Sequence, residues 1–508
     1  MAYDRELSLL ASNLKAKILC YRSFCTYSVI FNKAKPFSEV PGPIRLPIWG
    51  NLYLYKLGIY KPLKYHEALK DLCRKYGPLV RQDLGSKTTI HVFDPESVKT
   101  IYEAEGKLPH VEPLQETVML YRKQRNICLG LGNLNGEEWY RLRSAVQQMM
   151  LRPTEVHYYL PHINEVATDF IKRIREKTNG DGELGGLREE ASKWSLESAG
   201  YVCFESRLGG FDGGKAEEEV TRMVQANKTI FMMSTLLKFS LPFFKVFPTP
   251  KWNTLVKEED YFFGTGSGYV DRTISRIKDL QLQNKIGERT NHFLIYLLSK
   301  PDLSYGDIKI IALSLFGDGL TTTAPTLICS MYCLATNPEV QQRAYKEISS
   351  VYKGGKITIE MINQMPYMKA VLKETFRVFP SGTEISRVLL KDLVLNGYLV
   401  PAGTHCNLNQ SVQYMSEKYF KNPEKFLPER WLRGESSSNV HPYLLIPFGI
   451  RSRTCPGRRF AEQDLIVTLA LMLYNFKLEC NKKSPLEQYY NILLFPEDSL
   501  KIHFKSRS

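Results

Sequence analysis

The longest regular pattern of apolar positions runs from Ser304 to Thr336. It reads as one helix, roughly 50 Å long at the α-helical rise of ~1.5 Å per residue. Ahead of it, Tyr65–Tyr76 and Glu96–Ala104 have helical periodicity, and Val80–Leu84 and Thr88–Phe93 alternate as strands. Residues 106–135 show little periodicity and many turn formers. From 155 to 300 the pattern is helical, broken at Gly180–Gly186 and Gly209–Gly214, with Ile230–Met233 and Phe239–Phe244 strongly apolar around Pro242. Asn337-Pro338 ends the long helix and starts another through Tyr352; Met365-Pro366 opens the next, through Arg377. Short strands fill Gly382–Thr404, a hairpin is predicted over 489–498, and Leu465–Leu473 is an apolar run of helix length. The pattern predicts a mainly α fold with a small β-rich lobe.

The first 35 residues break this regularity. Their apolar runs are cut by Lys15, Lys17, Arg22 and Lys33, and none approaches the ~18–20 residues of a membrane span. A basic, serine-containing, weakly amphipathic start is expected of a mitochondrial presequence, although Asp4 and Glu6 count against it. Four prolines in residues 36–47 resist helix and strand alike, as a stiff connector does.

Composition narrows the partners. A net charge of +15 suggests an acidic protein or an anionic membrane surface. No basic run interleaved with aromatics points to nucleic acid. Ten scattered cysteines form no paired framework, which fits a reduced compartment better than secretion. None lies within four residues of Cys455, so zinc and iron–sulfur spacings are absent there.

Cys455 stands out for its setting, Phe448-Gly449-Ile450-Arg451-Ser452-Arg453-Thr454-Cys455-Pro456-Gly457. Arginine charge, glycine-permitted amide contacts and a following helix all favour a thiolate. A lone thiolate suits the proximal ligand of a haem iron; an arbitrary cysteine in such a loop is more often simply buried. In the long helix, Gly317-Asp318-Gly319-Leu320-Thr321-Thr322-Thr323-Ala324-Pro325 is poor in helix formers, and Pro325 denies Thr321 its carbonyl's donor. A locally opened helix that holds water is expected there. Trp139 and Arg143 are four apart and Glu374 and Arg377 three apart, so each pair shares a helix face.

Together these strings resemble the cytochrome P450 family from about residue 36 to 505. Phe448, Arg453, Cys455 and Gly457 fall on its F-x-x-G-x-R-x-C-x-G pattern, with Arg451 in place of the glycine. Glu374 and Arg377 match E-x-x-R, and Arg430 matches P-E-R-[FW]. Gly319 and Thr322 match the distal-helix pattern; the family acid falls on Thr321, and Asp318 takes the place of the usual Ala or Gly. The resemblance implies a triangular prism of helices around haem b (iron protoporphyrin IX), held by Cys455 as metal ligand. It implies propionate contacts from Trp139, Arg143, Arg387 and Arg453, and a proton relay through Thr322 with Asp318 or Thr321. A charged network of Glu374, Arg377 and Arg430 would lock the cysteine loop.

The arrangement looks like the mitochondrial clan, where Lys369, Lys373, Arg458 and Arg459 would meet an acidic, adrenodoxin-like ferredoxin with its NADPH reductase. The implied organisation is a targeting segment (1–35), a proline-rich hinge (36–47) and one haem-thiolate domain (48–508). The implied activity is hydroxylation of a hydrophobic steroid with O2, on a mitochondrial inner membrane touched peripherally by a lid near Lys238 and Lys245. Within the clan the distal helix resembles arthropod ecdysteroid hydroxylases, which implies ecdysone and 20-hydroxyecdysone as substrate and product. Another steroid or xenobiotic hydroxylase, a haem-thiolate sensor or carrier, and an endoplasmic-reticulum location are the alternatives.

Overall fold

The computed structural model describes residues 33–507 apart from 86, 284–291, 435–439 and 483. The presequence-like segment thus lies almost wholly outside the described residues. The chain runs α1 (Tyr65–Tyr76), β1 (Leu79–Leu84), β2 (Lys87–Val92), α2 (Pro95–Ala104), α3 (Glu116–Gln124), α4 (Gly136–Met150), α5 (Leu160–Lys177), α6 (Leu187–Phe204), α7 (Gly214–Lys238) and α8 (Pro250–Leu282). Then come α9 (Tyr305–Thr336), α10 (Pro338–Val351) and α11 (Pro366–Val378), followed by β3 (Ile385–Val388), β4 (Leu393–Leu395), β5 (Tyr398–Val400) and β6 (His405–Leu408). Last are α12 (Arg458–Asn475), β7 (Phe476–Glu479), β8 (Gln488–Asn491), β9 (Leu493–Pro496) and β10 (His503–Ser506). The architecture is the expected one, mainly α with small sheets.

The central helix α9 starts at a capping box: Ser304 accepts from the Asp307 amide, and the Asp307 carboxylate accepts from the Ser304 amide at 2.9 Å. It lies against α6 and packs on α8, α11 and α12. Phe316, Leu327 and Met331 of α9 and Trp194 of α6 are fully buried in the main core. The four-stranded sheet has the order β1-β2-β6-β3. β1 pairs antiparallel with β2, β2 parallel with β6 (Ile90 opposite Cys406), and β6 antiparallel with β3 (Leu408 opposite Ile385). Its own core, around Ile90, Val92 and Leu408, is separate from the helical one.

Three features differ from the sequence pattern or sharpen it. α3 occupies part of the aperiodic 106–135 stretch; its apolar face is Val118 and Tyr121, too few positions to leave a period. The proline-rich segment is pinned to β1: the Arg81 amide donates to the Pro41 carbonyl at 2.8 Å. A Cβ on Gly42 would stand 2.0 Å from the Arg81 carbonyl oxygen, so only glycine passes there. Among the described residues no helix is long and apolar enough to cross a membrane.

Candidate functional site

The cysteine loop is held by its own backbone. The Cys455 amide donates to the Phe448 carbonyl at 2.8 Å, and Gly449 turns the chain at φ 64°. Arg451 sits at φ 61°. That left-handed conformation is the one a glycine takes freely and costs another L-residue about 1 kcal/mol or more. The Arg451 guanidinium donates to the Tyr443 hydroxyl at 3.2 Å. α12 begins three residues after Cys455, which places the sulfur near the positive end of its dipole.

Burial, with Asp318 across the cavity adding to it, pushes the Cys455 thiol up to about 11, against the pull of the Gly457 and Arg458 amides and the Arg143 guanidinium. Alone, the thiol keeps its proton at neutral pH. A coordinated metal cation removes that proton outright.

Above the sulfur is a cavity of about 90 Å³, lined by Phe448, Cys455, Gly457, Asp318, Thr322 and Thr323 among others. Asp318 lies deep in the protein yet keeps accessible surface, and it lines this cavity. Burial pushes its carboxyl up to about 6, with the Arg122 guanidinium pulling the other way. The Thr322 hydroxyl donates to the Asp318 carbonyl at 2.8 Å, and the Thr321 hydroxyl to the same oxygen at 3.1 Å.

The expected opening of α9 does not occur. The helix is continuous through Pro325, and threonine hydroxyls bond back to its carbonyls, Thr326 to Thr322 at 2.7 Å included. The glycines serve packing instead. A Cβ on Gly319 would stand 2.8 Å from the Ser195 hydroxyl oxygen, and one on Gly317 3.3 Å from the Phe262 ring. They let α6 and α8 approach.

At the edge of the site three guanidinium groups gather. Arg387 pairs with Glu105 at 2.6 Å and lies 4.8 Å over the Tyr102 ring. Arg453 lies 4.2 Å over the Trp139 ring and donates to the Pro109 carbonyl at 3.0 Å, the Leu134 carbonyl at 2.8 Å and the Asn135 side-chain oxygen at 2.8 Å. Arg143 is buried, and its Nε has no hydrogen-bond partner among the described residues. Burial and the charges of Arg387 and Arg143 push the Arg453 guanidinium down to about 9. Glu105 is the carboxylate that answers Arg387 and Arg453, and one of its oxygens is itself unpartnered among the described residues. The cluster lacks anions, and the carboxylates of a haem fit it; the residues present suit that group at both the sulfur and the edge.

The E-x-x-R element is complete. Arg377 grips Glu374 through Nε at 3.0 Å and Nη2 at 2.7 Å, Arg430 meets it at 3.2 Å, and the Trp431 indole donates to it at 2.9 Å. Arg377 also donates to the carbonyls of Tyr414, Pro423 and Lys425. All four predicted basic residues line one concavity beside Phe448. Lys369 is exposed and donates to Asn363 at 3.3 Å; Lys373 lies 4.2 Å over the Trp431 ring; Arg458 pairs with Glu462 at 3.1 Å; Arg459 donates to the Leu151 carbonyl at 2.6 Å.

Of the two lid lysines, Lys238 is not an interfacial flank, whereas Lys245 stays at the surface. Lys238 is drawn inward to Glu384 at 2.7 Å, and Lys245 is paired with Glu116. Lys238 closes α7, where a cation is favoured, and a buried carboxylate waits there. Sequence reasoning missed Glu384, Glu105 and Asp464. Asp464 interrupts the apolar face of α12, and that interruption was the one available signal.

Comparison with known proteins agrees with this geometry. A family model described as Cytochrome P450 matches residues 40–504. The chain is 40% identical over 491 residues to a probable cytochrome P450 CYP44 of Caenorhabditis elegans, covering 95% of this chain and 97% of that one. It is 33% identical over 479 residues to the mitochondrial 1,25-dihydroxyvitamin D(3) 24-hydroxylase of Mus musculus, covering 92% and 89%. It is 28% identical over 488 residues to the mitochondrial sterol 26-hydroxylase of Rattus norvegicus, covering 94% and 90%.

Proposed function

This chain belongs to the cytochrome P450 family, a family of haem-thiolate monooxygenases, and we propose that it is a mitochondrial hydroxylase of a sterol-like substrate with Cys455 as the axial thiolate. The observation that carries the reading is the opposition of Cys455 to Asp318 and Thr322 across one cavity, with an anion-poor arginine cluster at its edge. Bound haem supplies the activation of dioxygen, which thiolate electron donation favours.

The protein's own residues do the rest. The Gly457 and Arg458 amides and the α12 dipole hold negative charge on the sulfur. Arg143 and Arg387 neutralise the cofactor's carboxylates, with Arg453 tying the loop before α4 to the cysteine loop. Asp318 takes up and releases a proton near neutral pH, and the Thr322 hydroxyl, one turn on, passes it toward the cavity. Thr321 shares the same carbonyl and orients that pair.

The charged concavity supports an acidic ferredoxin as electron donor, since four cations there would speed encounter. Exposed Ile44, Ile48, Phe243, Val246 and Phe247 support peripheral membrane contact. The relatives named above support a mitochondrial location and residues 48–508 as the catalytic unit, behind a presequence and the proline-rich segment. The finer reading is an ecdysteroid substrate, ecdysone giving 20-hydroxyecdysone.

The test is the reduced carbonyl spectrum of the purified holoprotein together with product analysis on a steroid panel, ferredoxin and its reductase supplying electrons. A red-shifted thiolate band, lost in Cys455→Ala, is expected. A histidine-type spectrum sinks the ligand assignment, and equal turnover with a microsomal flavin reductase sinks the mitochondrial one.

A further inference from the structure

The end of helix α3 brings two arginines to α8, one outside and one inside. Arg125 is exposed and pairs with Asp260 at 2.6 Å, and the Tyr121 hydroxyl donates to the same carboxylate at 2.9 Å. These contacts clip α3 to α8. The residue of α8 just before Asp260 is Glu259, which is buried, and the cation that acts on it is Arg122.

Arg122 runs inward. Its Nη1 donates to the Leu129 carbonyl at 2.6 Å. A Cβ on Gly130 would stand 3.0 Å from that nitrogen, 3.1 Å from the Ile310 side chain and 3.4 Å from the Ser314 hydroxyl oxygen, and Gly130 has φ 76°. Glycine there lets the guanidinium lie against α9 at the level of Ser314, one turn before Asp318.

Taking a guanidinium out of water costs more than one backbone carbonyl returns. Burial pushes Arg122 down, and the charges of Glu259 and Asp318 pull it back. The pull is mutual. Burial pushes the Glu259 carboxyl up to about 7 and the Asp318 carboxyl up to about 6, and Arg122 works against it at both. The other titratable groups toward Asp318 are the Cys203 thiol of α6, the Cys455 thiol and, in the wall of the shared cavity, the Asp464 carboxyl of α12; none of these is a cation.

We infer that Arg122 is a positioning residue for proton transfer, the counter-charge that Asp318 needs each time it hands its proton on. The inference rests on the reading of Asp318 as the proton relay and extends it to α3, which takes part without touching the reacting atoms.

Infrared difference spectroscopy of the purified holoprotein tests it, following with pH the protonated-carboxyl stretch that Asp318→Asn lacks. In the wild type that band fades as pH rises through about 6. Loss of an opposite charge favours the protonated form, so Arg122→Gln raises the midpoint by about one pH unit or more, about a tenfold change in the proton equilibrium. Arg122→Lys keeps the charge and titrates with the wild type. A role confined to holding the Leu129 carbonyl would leave the midpoint where it is. Arg122→Met, similar in length and uncharged, takes the place of Arg122→Gln should that variant not load haem. An unmoved midpoint in the uncharged variant overturns the inference, as does Arg122→Lys titrating with Arg122→Gln. If Asp318→Asn removes no titrating band, the relay reading fails and this inference with it; if it does remove one, a failure counts against Arg122 alone.

Discussion

Two clusters of buried arginines, each around one glutamate, behave in opposite ways. Around Glu374, every guanidinium of Arg377 and Arg430 is met by carboxylate or backbone carbonyl oxygen, and the Trp431 indole and the Leu427 amide close the set. Around Glu105, Arg387 is paired, Arg453 is turned to backbone oxygens, and Arg143 has a buried nitrogen with no partner among the described residues. The first cluster is complete and acts as a lock on the segment leading to the cysteine loop. The second is short of negative charge and is shaped for a ligand that brings it. Satisfaction of each donor, rather than the number of charges, separates a structural network from a binding site.

Substitutions should divide along that line. The largest effect is expected for Glu374→Gln, which leaves Arg377 buried without a counter-charge. Removing one member of a buried pair destabilises by about 3–5 kcal/mol, so thermal unfolding should fall sharply both with and without haem. A loss seen only in the haem-loaded protein would erase the distinction. Arg143→Met should do the reverse. Haem affinity should drop by about tenfold or more, the worth of a charged hydrogen bond, while the apoprotein unfolds at the same or a higher temperature. A destabilised apoprotein with unchanged haem affinity would make Arg143 structural after all.

A smaller contrast lies on α11 itself, where Glu374 faces inward and Lys369 and Lys373 face out. The double variant Lys369→Gln, Lys373→Gln should slow reduction by a ferredoxin several-fold at low salt, and the difference should shrink as salt rises, because exposed charges are screened over about 10 Å at 0.1 M. Unfolding should not move. A purely pH-dependent effect is expected at Asp464, whose carboxyl is pushed up to about 7 by burial and has one oxygen unpartnered among the described residues. A raised carboxyl pKa means that the folded state holds a proton the unfolded chain has already released. Wild-type stability is therefore lost as pH rises from about 4 to 7. Asp464→Asn is flat over that window, so its unfolding temperature should gain on the wild type with pH; parallel curves would show the group is already paired.

The elements with strong local grammar were legible from the chain alone. The capped helix from Ser304, the helix from Tyr65 to Tyr76 and the paired strands near Val80 and Thr88 follow periodicity and capping that neighbours in sequence supply. Cys455 was legible from its glycine- and arginine-rich setting, and Glu374, Arg377 and Arg430 through the family resemblance of the strings that carry them. The weakly amphipathic α3 was not, since two apolar contacts make no period. Nor was the state of the distal helix: Gly317 and Gly319 read as helix breakers, but each fits a neighbouring side chain, and packing outweighs a propensity of about 1 kcal/mol per residue. Partner choice was decided only in three dimensions. Lys238 could have faced a membrane or a carboxylate, and Glu384, 146 positions away, drew it inward. Local composition can name a charge; only the folded chain decides what stands opposite it, because burial makes an unmatched charge too costly to leave alone.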